Sequence, residues 1–312
     1  MIGFIFPGQG SQVVGMCKDV CNSFPVAKKT FMEADEALGF SISKMCFEGP
    51  EDDLRLTYNT QPAILTVSVA LTRVLAEQGI KPEIVAGHSL GEYSALVAAE
   101  AMDFMDAVRV VRKRGQFMQE AVPVGQGSMA AIMGLEDEQI IAICNQVEQD
   151  GGIVQAVNFN CPGQVVIAGE TASVDKAVEL LKAAGARRAV LLPVSAPFHS
   201  TLMKPAGERL KEVLDGITIK NAIIPVVANV TADKVQDASE IKRLLVEQAA
   251  KPVRWVESIQ KMQAENVSVF AEVGPGKVLT GFSKKIAKTI PVVNVEDLVS
   301  LEKTLEHFKG GL

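Results

Sequence analysis

Glu83-Ile84-Val85-Ala86-Gly87-His88-Ser89-Leu90-Gly91-Glu92-Tyr93 decides the fold. A short run of buried-strand type enters a glycine-bounded turn, and the alanine-rich stretch 92–101 leaves it with helical composition. Strand, sharp turn and helix in that order are the setting of a G-x-S-x-G elbow, where small residues flank the serine because a bulkier side chain would block the turn. The elbow sets Ser89 at the C-terminal edge of a sheet. A helix N-terminus stands behind it, so backbone N–H groups and the helix dipole are placed to stabilise a developing oxyanion. Ser89 is therefore the candidate nucleophile; as bare structure the same motif is a βα turn with serine as a cap.

Outward from the elbow, strand-like runs at 2–6, 83–87, 224–228, 267–273 and 291–295 alternate with helix-length segments. That is the pattern of an α/β protein with a mainly parallel sheet covered on both faces. Between 127 and 194 the rhythm changes to strand 129–133, helix 137–148, strands 154–159 and 164–168, helix 173–184 and strand 188–194. This βαββαβ order is a split ferredoxin-like unit, with Asn160, Pro162 and Gly163 turning its middle hairpin. The expected organisation is a large α/β subdomain, residues 1–126 and 195–312, with a small ferredoxin-like subdomain, residues 127–194, inserted into it. A cleft between two such lobes is a common place for a site.

Of the 312 residues 48% are apolar and 22% charged, which excludes a disordered chain. Lys+Arg 31 against Asp+Glu 37 gives a net charge of −6, so no overall electrostatic pull toward nucleic acid or an anionic membrane is expected. Arg73 interrupts the longest apolar stretch, 63–76, before it reaches the length of a spanning helix, and Pro7 ends the N-terminal apolar run too early for a signal peptide. The five cysteines, odd in number, pair with no histidine in a zinc-like spacing, so no metal is expected and a reducing cytoplasm is the simplest setting.

A serine needs a base, and there are three histidines. His307 lies in the charged last helix, and His88 sits inside the elbow, pointing away from the edge that Ser89 faces. His199 follows an apolar run and Pro197-Phe198, on a loop just past a strand, and is the best base by elimination. On the helical stretch 103–121 the apolar stripe runs through Ala107, Val110, Val111, Phe117, Met118 and Ala121, and Arg114 falls on that stripe. Arg109, Arg112, Lys113 and Gln116 fall on the side where solvent is expected. A guanidinium on a core-facing stripe either pairs with an internal carboxylate or waits for one brought by a substrate. Phe6-Pro7-Gly8-Gln9-Gly10-Ser11-Gln12 fails as a dinucleotide or phosphate loop, for want of the third glycine and of Gly-Lys-Ser/Thr, but it can lend the Gln9 amide to an oxyanion hole. Lys277, in Gly274-Pro275-Gly276-Lys277, is a weaker candidate for ligand phosphates.

Together these residues resemble the malonyl-CoA:acyl-carrier-protein transacylase family, the acyltransferases that load extender units in fatty-acid and polyketide synthesis. The resemblance rests on Pro7-Gly8-Gln9-Gly10-Ser11-Gln12, Asn59-Thr60-Gln61-Pro62-Ala63, Gly87 to Tyr93, Arg114-Gly115, Asn158-x-Asn160-x-Pro162-x-Gln164, Pro197-Phe198-His199-Ser200 and Glu272-Val273-Gly274-Pro275-Gly276. It implies that the large subdomain is hydrolase-like and catalytic, with Ser89 as acyl-accepting nucleophile, His199 as base, Arg114 as clamp on the malonate carboxylate, and the backbone amides of Gln9 and Leu90 as oxyanion hole. It further implies that Gln248 orients His199 through its main-chain carbonyl and that Phe198 and Met118 set acyl selectivity. The implied reaction is ping-pong transfer of malonyl from malonyl-CoA to the phosphopantetheine thiol of an acyl carrier protein, with no cofactor of the protein's own and no nucleic-acid or membrane partner. Arg187, Arg188, Lys284 and Lys285 are candidates for a basic rim that meets the acidic carrier. The rival readings are an acyl hydrolase or thioesterase on the same scaffold, a polyketide-pathway acyltransferase with a different extender unit, and a non-catalytic docking subunit.

Overall fold

The computed structural model describes residues 1–194 and 196–309; Ser195, where the second segment of the large subdomain was expected to begin, and residues 310–312 lie outside the described residues. Ten strands are seen among the described residues: β1 (Ile2–Phe6), β2 (Ile84–Gly87), β3 (Gly127–Met133), β4 (Val154–Cys161), β5 (Gln164–Glu170), β6 (Arg188–Leu191), β7 (Val226–Val227), β8 (Lys234–Val235), β9 (Val269–Val273) and β10 (Val292–Val295). They form two sheets, ordered β10-β9-β1-β2-β7-β8 and β4-β5-β3-β6.

The first sheet is parallel except for the short edge strand β8. Its central strands β1, β2 and β7 carry no polar side chain because helices cover both faces. One face packs on a core containing Phe4, Phe6, Leu65, Val85 and Val111, the other on a core containing Ile5, Ile84, Ala86, Trp255 and Phe270. Successive residues of β1 and β2 thus feed opposite cores, as the period of two requires. β1 and β2 are neighbours with Phe6 opposite Gly87, so the loop that carries Gln9 and the elbow that carries Ser89 leave the sheet side by side at its C-terminal edge.

The second sheet is wholly antiparallel, in the order expected of a ferredoxin-like unit. Ala130 and Ile132 pack with Val165 and Ile167 beneath the helices Asp137–Gln149 and Thr171–Ala183. Met129 and Ala131, on the opposite face, join Val166 and Ala168 in a separate cluster with Met118, Phe198 and Met203 of the large lobe. The small sheet therefore has two dry faces, one for its own helices and one for the site. A backbone bridge between β4 and Val253 ties the lobes together, with Phe159 N–H to the Val253 carbonyl at 3.0 Å and Val253 N–H to the Val157 carbonyl at 2.8 Å.

Three expectations are corrected. β6 stops at Leu191 instead of 194, and Leu192 and Val194 turn into the cavity described below. Arg112 is half-buried, its guanidinium lying over the rings of Phe40 and Tyr58 at 5.0 and 4.6 Å; a cation stacked on two aromatic faces can leave solvent at little cost. The four cations expected to form one basic rim are split. Arg188 is on the β6 edge of the small sheet, with Arg187 just before it, whereas Lys284 and Lys285 end the helix Val278–Ile286, which packs against β4 at the opposite edge.

Candidate active site

The elbow is as tight as its glycines suggest. A Cβ on Gly87 would lie 1.9 Å from the Gly91 carbonyl, and one on Gly91 would lie 2.1 Å from the Phe6 carbonyl oxygen. The helix Gly91–Ala98 is thereby pressed against the β1–β2 edge, and Ser89 is held with φ 51°, in the left-handed region that L residues rarely adopt. Asn229 pins it further, accepting the Ser89 N–H at 2.7 Å and donating to the Gly87 carbonyl at 2.7 Å.

His199 also has a positive φ, 65°, and is 3% exposed. Its Nε2 lies 2.7 Å from Ser89 Oγ and its Nδ1 2.8 Å from the main-chain oxygen of Gln248. The carbonyl can only accept, so Nδ1 carries the proton and Nε2 is left to accept from the serine hydroxyl. Burial, reinforced by the Arg114 cation, lowers the His199 pKa to about 3. The ring is neutral at neutral pH, as a base must be.

Arg114, on the helix Phe104–Glu120, is 1% exposed. It donates from Nη1 to Gln61 Oε1 at 2.8 Å, and from Nη2 to Gln248 Oε1 at 2.9 Å and to Ser89 Oγ at 3.1 Å; its Nε has no partner among the described residues. Both firm partners are neutral amides. The guanidinium also lies 5.5 Å from the Tyr93 ring centroid. A buried cation with no ion pair among the described residues is held in a state that a carboxylate would improve.

A cavity of about 100 Å³ opens at this point, bordered by Gln9, Leu90, Met118, Met129, Asn158 and Phe198 together with Ser89, His199 and Arg114. Among the described residues neither the Gln9 nor the Leu90 backbone N–H donates to a protein acceptor. Two unused donors beside a serine and a neutral histidine can bind the oxygen of a tetrahedral intermediate. The structure thus brings Ser89, His199, Arg114, Gln248, Gln9, Leu90, Phe198 and Met118 to one place. His88 is at the border, its Nε2 2.8 Å from Asn160 Oδ1 and its ring against Trp255. Lys277 lies elsewhere, in a recess with Glu296 and Asp297. Sequence reasoning gave no role to Gln61, Asn229 or Glu92, all of which hold the site; amide side chains 140 positions from the serine, as Asn229 is, carry no spacing signal. Among the described residues no cluster of His, Cys, Asp and Glu is arranged to hold a metal ion.

A parallel α/β sheet with a serine on its elbow, a carbonyl-braced histidine and a buried cation beside them defines a class, the acyl-transferring α/β proteins. Comparison with known proteins narrows this. The acyl transferase domain family matches residues 3–308, and the chain belongs to that family. It is 52% identical to the malonyl CoA-acyl carrier protein transacylase of Bacillus subtilis, covering 99% of this chain and 97% of the relative, and 49% identical to that of Escherichia coli K12, covering 97% and 98%. Among solved structures it is similar to an acyl carrier protein S-malonyltransferase from Vibrio cholerae (TM-score 0.95, 48% identity, 97% of this chain and 99% of that one). It is equally similar to a malonyl-transacylase in complex with its type II polyketide synthase acyl-carrier protein (TM-score 0.95, 48% identity, 98% and 99%).

Proposed function

We propose that the protein transfers a malonyl group from malonyl-CoA to the phosphopantetheine thiol of an acyl carrier protein through a malonyl ester on Ser89. His199 takes the hydroxyl proton as Ser89 Oγ attacks the thioester carbonyl; the C–S bond then breaks, and the proton passes to the departing CoA sulfur. In the second half the carrier thiol gives its proton to His199 and attacks the ester, and Ser89 Oγ leaves with that proton. The amides of Gln9 and Leu90 receive the oxyanion in both halves. Gln248 holds the imidazole tautomer through its main-chain oxygen, so no acidic third member is needed.

The observation that carries the reading is Arg114, a buried cation held by neutral amides 3.1 Å from the serine oxygen. A malonyl chain on Ser89 brings a free carboxylate to that guanidinium, in a geometry suited to a bidentate pair. A hydrolase for neutral acyl groups has no use for a buried cation there. Phe198, 8% exposed, and Met118, 2% exposed, narrow the cavity and leave little room for an α-branch. No metal or organic cofactor of the protein's own enters the scheme, since phosphopantetheine arrives on the carrier. Fatty-acid and polyketide assembly both consume such a product. A cytoplasmic setting belongs to the same proposal, because the CoA that leaves and the carrier arm that accepts are both free thiols, which a reducing compartment preserves.

The test is incubation with labelled malonyl-CoA and, separately, acetyl-CoA, followed by mass spectrometry and addition of a carrier protein. The reading expects a malonyl adduct on Ser89, absent from Ser89→Ala, that the carrier thiol discharges. Fast release of acetate into water with no malonyl-enzyme would overturn it.

A further inference from the structure

Behind the reactive pair lies an acid that the transfer scheme does not use. Glu92 is three positions after Ser89, in the first turn of the Gly91–Ala98 helix, and is 2% exposed. Its Oε2 accepts the Asn229 backbone N–H at 2.9 Å and the Gln248 Nε2 at 2.9 Å. Gln248, fully buried, turns its other amide atom to Arg114 at 2.9 Å. One neutral amide therefore separates the buried carboxyl from the buried guanidinium. This spacing lets the two charges feel each other while leaving the face of Arg114 that meets Ser89 Oγ unblocked by an acid.

The charges around Glu92 are few. Arg114 approaches from the Phe104–Glu120 helix, and Tyr93, on its own helix, is a phenol whose pKa burial raises further. His88 and His199, from the elbow and the loop 196–200, are both kept neutral by burial. The Thr57–Glu77 helix brings the neutral Gln61 to Arg114, and Gln248 and Asn229 are neutral as well. When a malonyl carboxylate reaches Arg114, two carboxylates share one buried cation, and two such anions in one dry site cannot both stay ionised cheaply.

We propose that Glu92 is the counter-charge of Arg114 in the empty enzyme and takes a proton from solvent when the malonyl carboxylate arrives, so that the buried cluster keeps one cation and one anion throughout. Glu92 is thus a positioning residue that acts through Gln248. Its pKa, which burial raises to about 7 against the pull of its hydrogen bonds and of Arg114, leaves it able to change state near neutrality. The transfer itself is proton-neutral, because the serine hydrogen ends on the CoA thiol. Any net uptake therefore reports the protein. The inference rests on the proposed malonyl reading, and the test separates the two.

Proton uptake is measured in weakly buffered solution with a pH indicator on mixing with malonyl-CoA, alongside mass spectrometry of the acyl-enzyme, with acetyl-CoA as the partner lacking a carboxylate. Expected are an uptake approaching about one proton per malonylated site slightly above pH 7, none with acetyl-CoA, and loss of the uptake in Glu92→Gln. A malonyl-enzyme that forms without uptake, or an uptake that persists in Glu92→Gln, overturns the inference and leaves the malonyl reading standing. Absence of the malonyl-enzyme overturns both. Should Glu92→Gln fail to fold, the pH profile of the unmodified protein decides. Uptake that fades in acid, where Glu92 is already protonated, is the expected result; uptake that grows toward acid belongs to His199 and refutes the assignment.

Discussion

Replacing Arg114 by alanine is the sharpest perturbation the structure offers. The cavity lining contains no other lysine or arginine among the described residues, so a malonyl carboxylate there would lose its one cationic partner. Truncating one partner of a buried, hydrogen-bonded charge pair costs about 2–5 kcal/mol. At about 1.4 kcal/mol per decade, malonyl transfer should fall by roughly 30- to 4,000-fold in kcat/KM. Neutral acyl groups make no such contact, so acetyl-CoA should be used as well as before, or better, and the malonyl-to-acetyl preference should collapse. The substitution also leaves the side-chain oxygens of Gln61 and Gln248 without a donor, about 1–3 kcal/mol each, partly offset because a buried cation disappears as well. A melting curve must therefore accompany the kinetics, measured with both thioesters at matched folded fraction. A folded variant whose malonyl-to-acetyl preference stays within about threefold of the parent, a change below about 0.7 kcal/mol, would refute the role assigned to Arg114.

The elbow gives a steric prediction. Gly91→Ala should yield little folded protein, a loss above about 4 kcal/mol, because the new methyl meets backbone at 2.1 Å and neither strand nor helix can retreat; a melting temperature within a few degrees of the parent would contradict this. His199 gives a pH dependence whose sign is fixed. Its folded pKa of about 3 lies below the ordinary 6.5, so between those values the unfolded chain binds a proton that the folded one refuses, and stability is full above pH 6.5 and lost as pH falls toward 3. The contribution is on the order of 5 kcal/mol across that window. His199→Asn should flatten this part of the stability curve measured by denaturant titration, and an unchanged acid limb would count against the buried neutral imidazole.

Much of the fold was legible because its signals are local. The alternation of β3 and β5 between two dry faces, the helical period between them and the turn at Asn160-Pro162-Gly163 together mark the strands and helices of this stretch within a few residues of where they are seen. Five of the six strands of the large sheet were equally plain, since each is a short, mainly apolar run, but the two-residue β8 that pairs with β7 was not, because a strand that short has no periodicity to read. The end of β6 was overshot because the apolar run continues through Leu192 and Val194, and apolarity alone does not say whether a residue enters a sheet or a cavity wall.

At the site the legible residues are those whose chemistry or geometry leaves little choice. Sterics dictate the elbow glycines, histidine is rare enough to be found by elimination, and a guanidinium on an apolar stripe is conspicuous. The partners of that guanidinium were not legible, for a physical reason. A search for what neutralises a buried cation looks for acids, and here Gln61 and Gln248, 53 positions before and 134 positions after Arg114, hold it with amide oxygens instead. Either residue as a glutamate would close an ion pair inside the lobe and compete with any incoming carboxylate. The two amides satisfy one guanidinium hydrogen each and put no anion in direct contact with the cation. In the same way Gln248 serves His199 through an atom that every residue has, its main-chain oxygen, so no side-chain pattern announces the brace. What makes the cavity receptive to a dicarboxylic half-ester is therefore the placement of neutral groups around one charge, an arrangement that exists only once residues 61, 114 and 248 have been brought together by the fold.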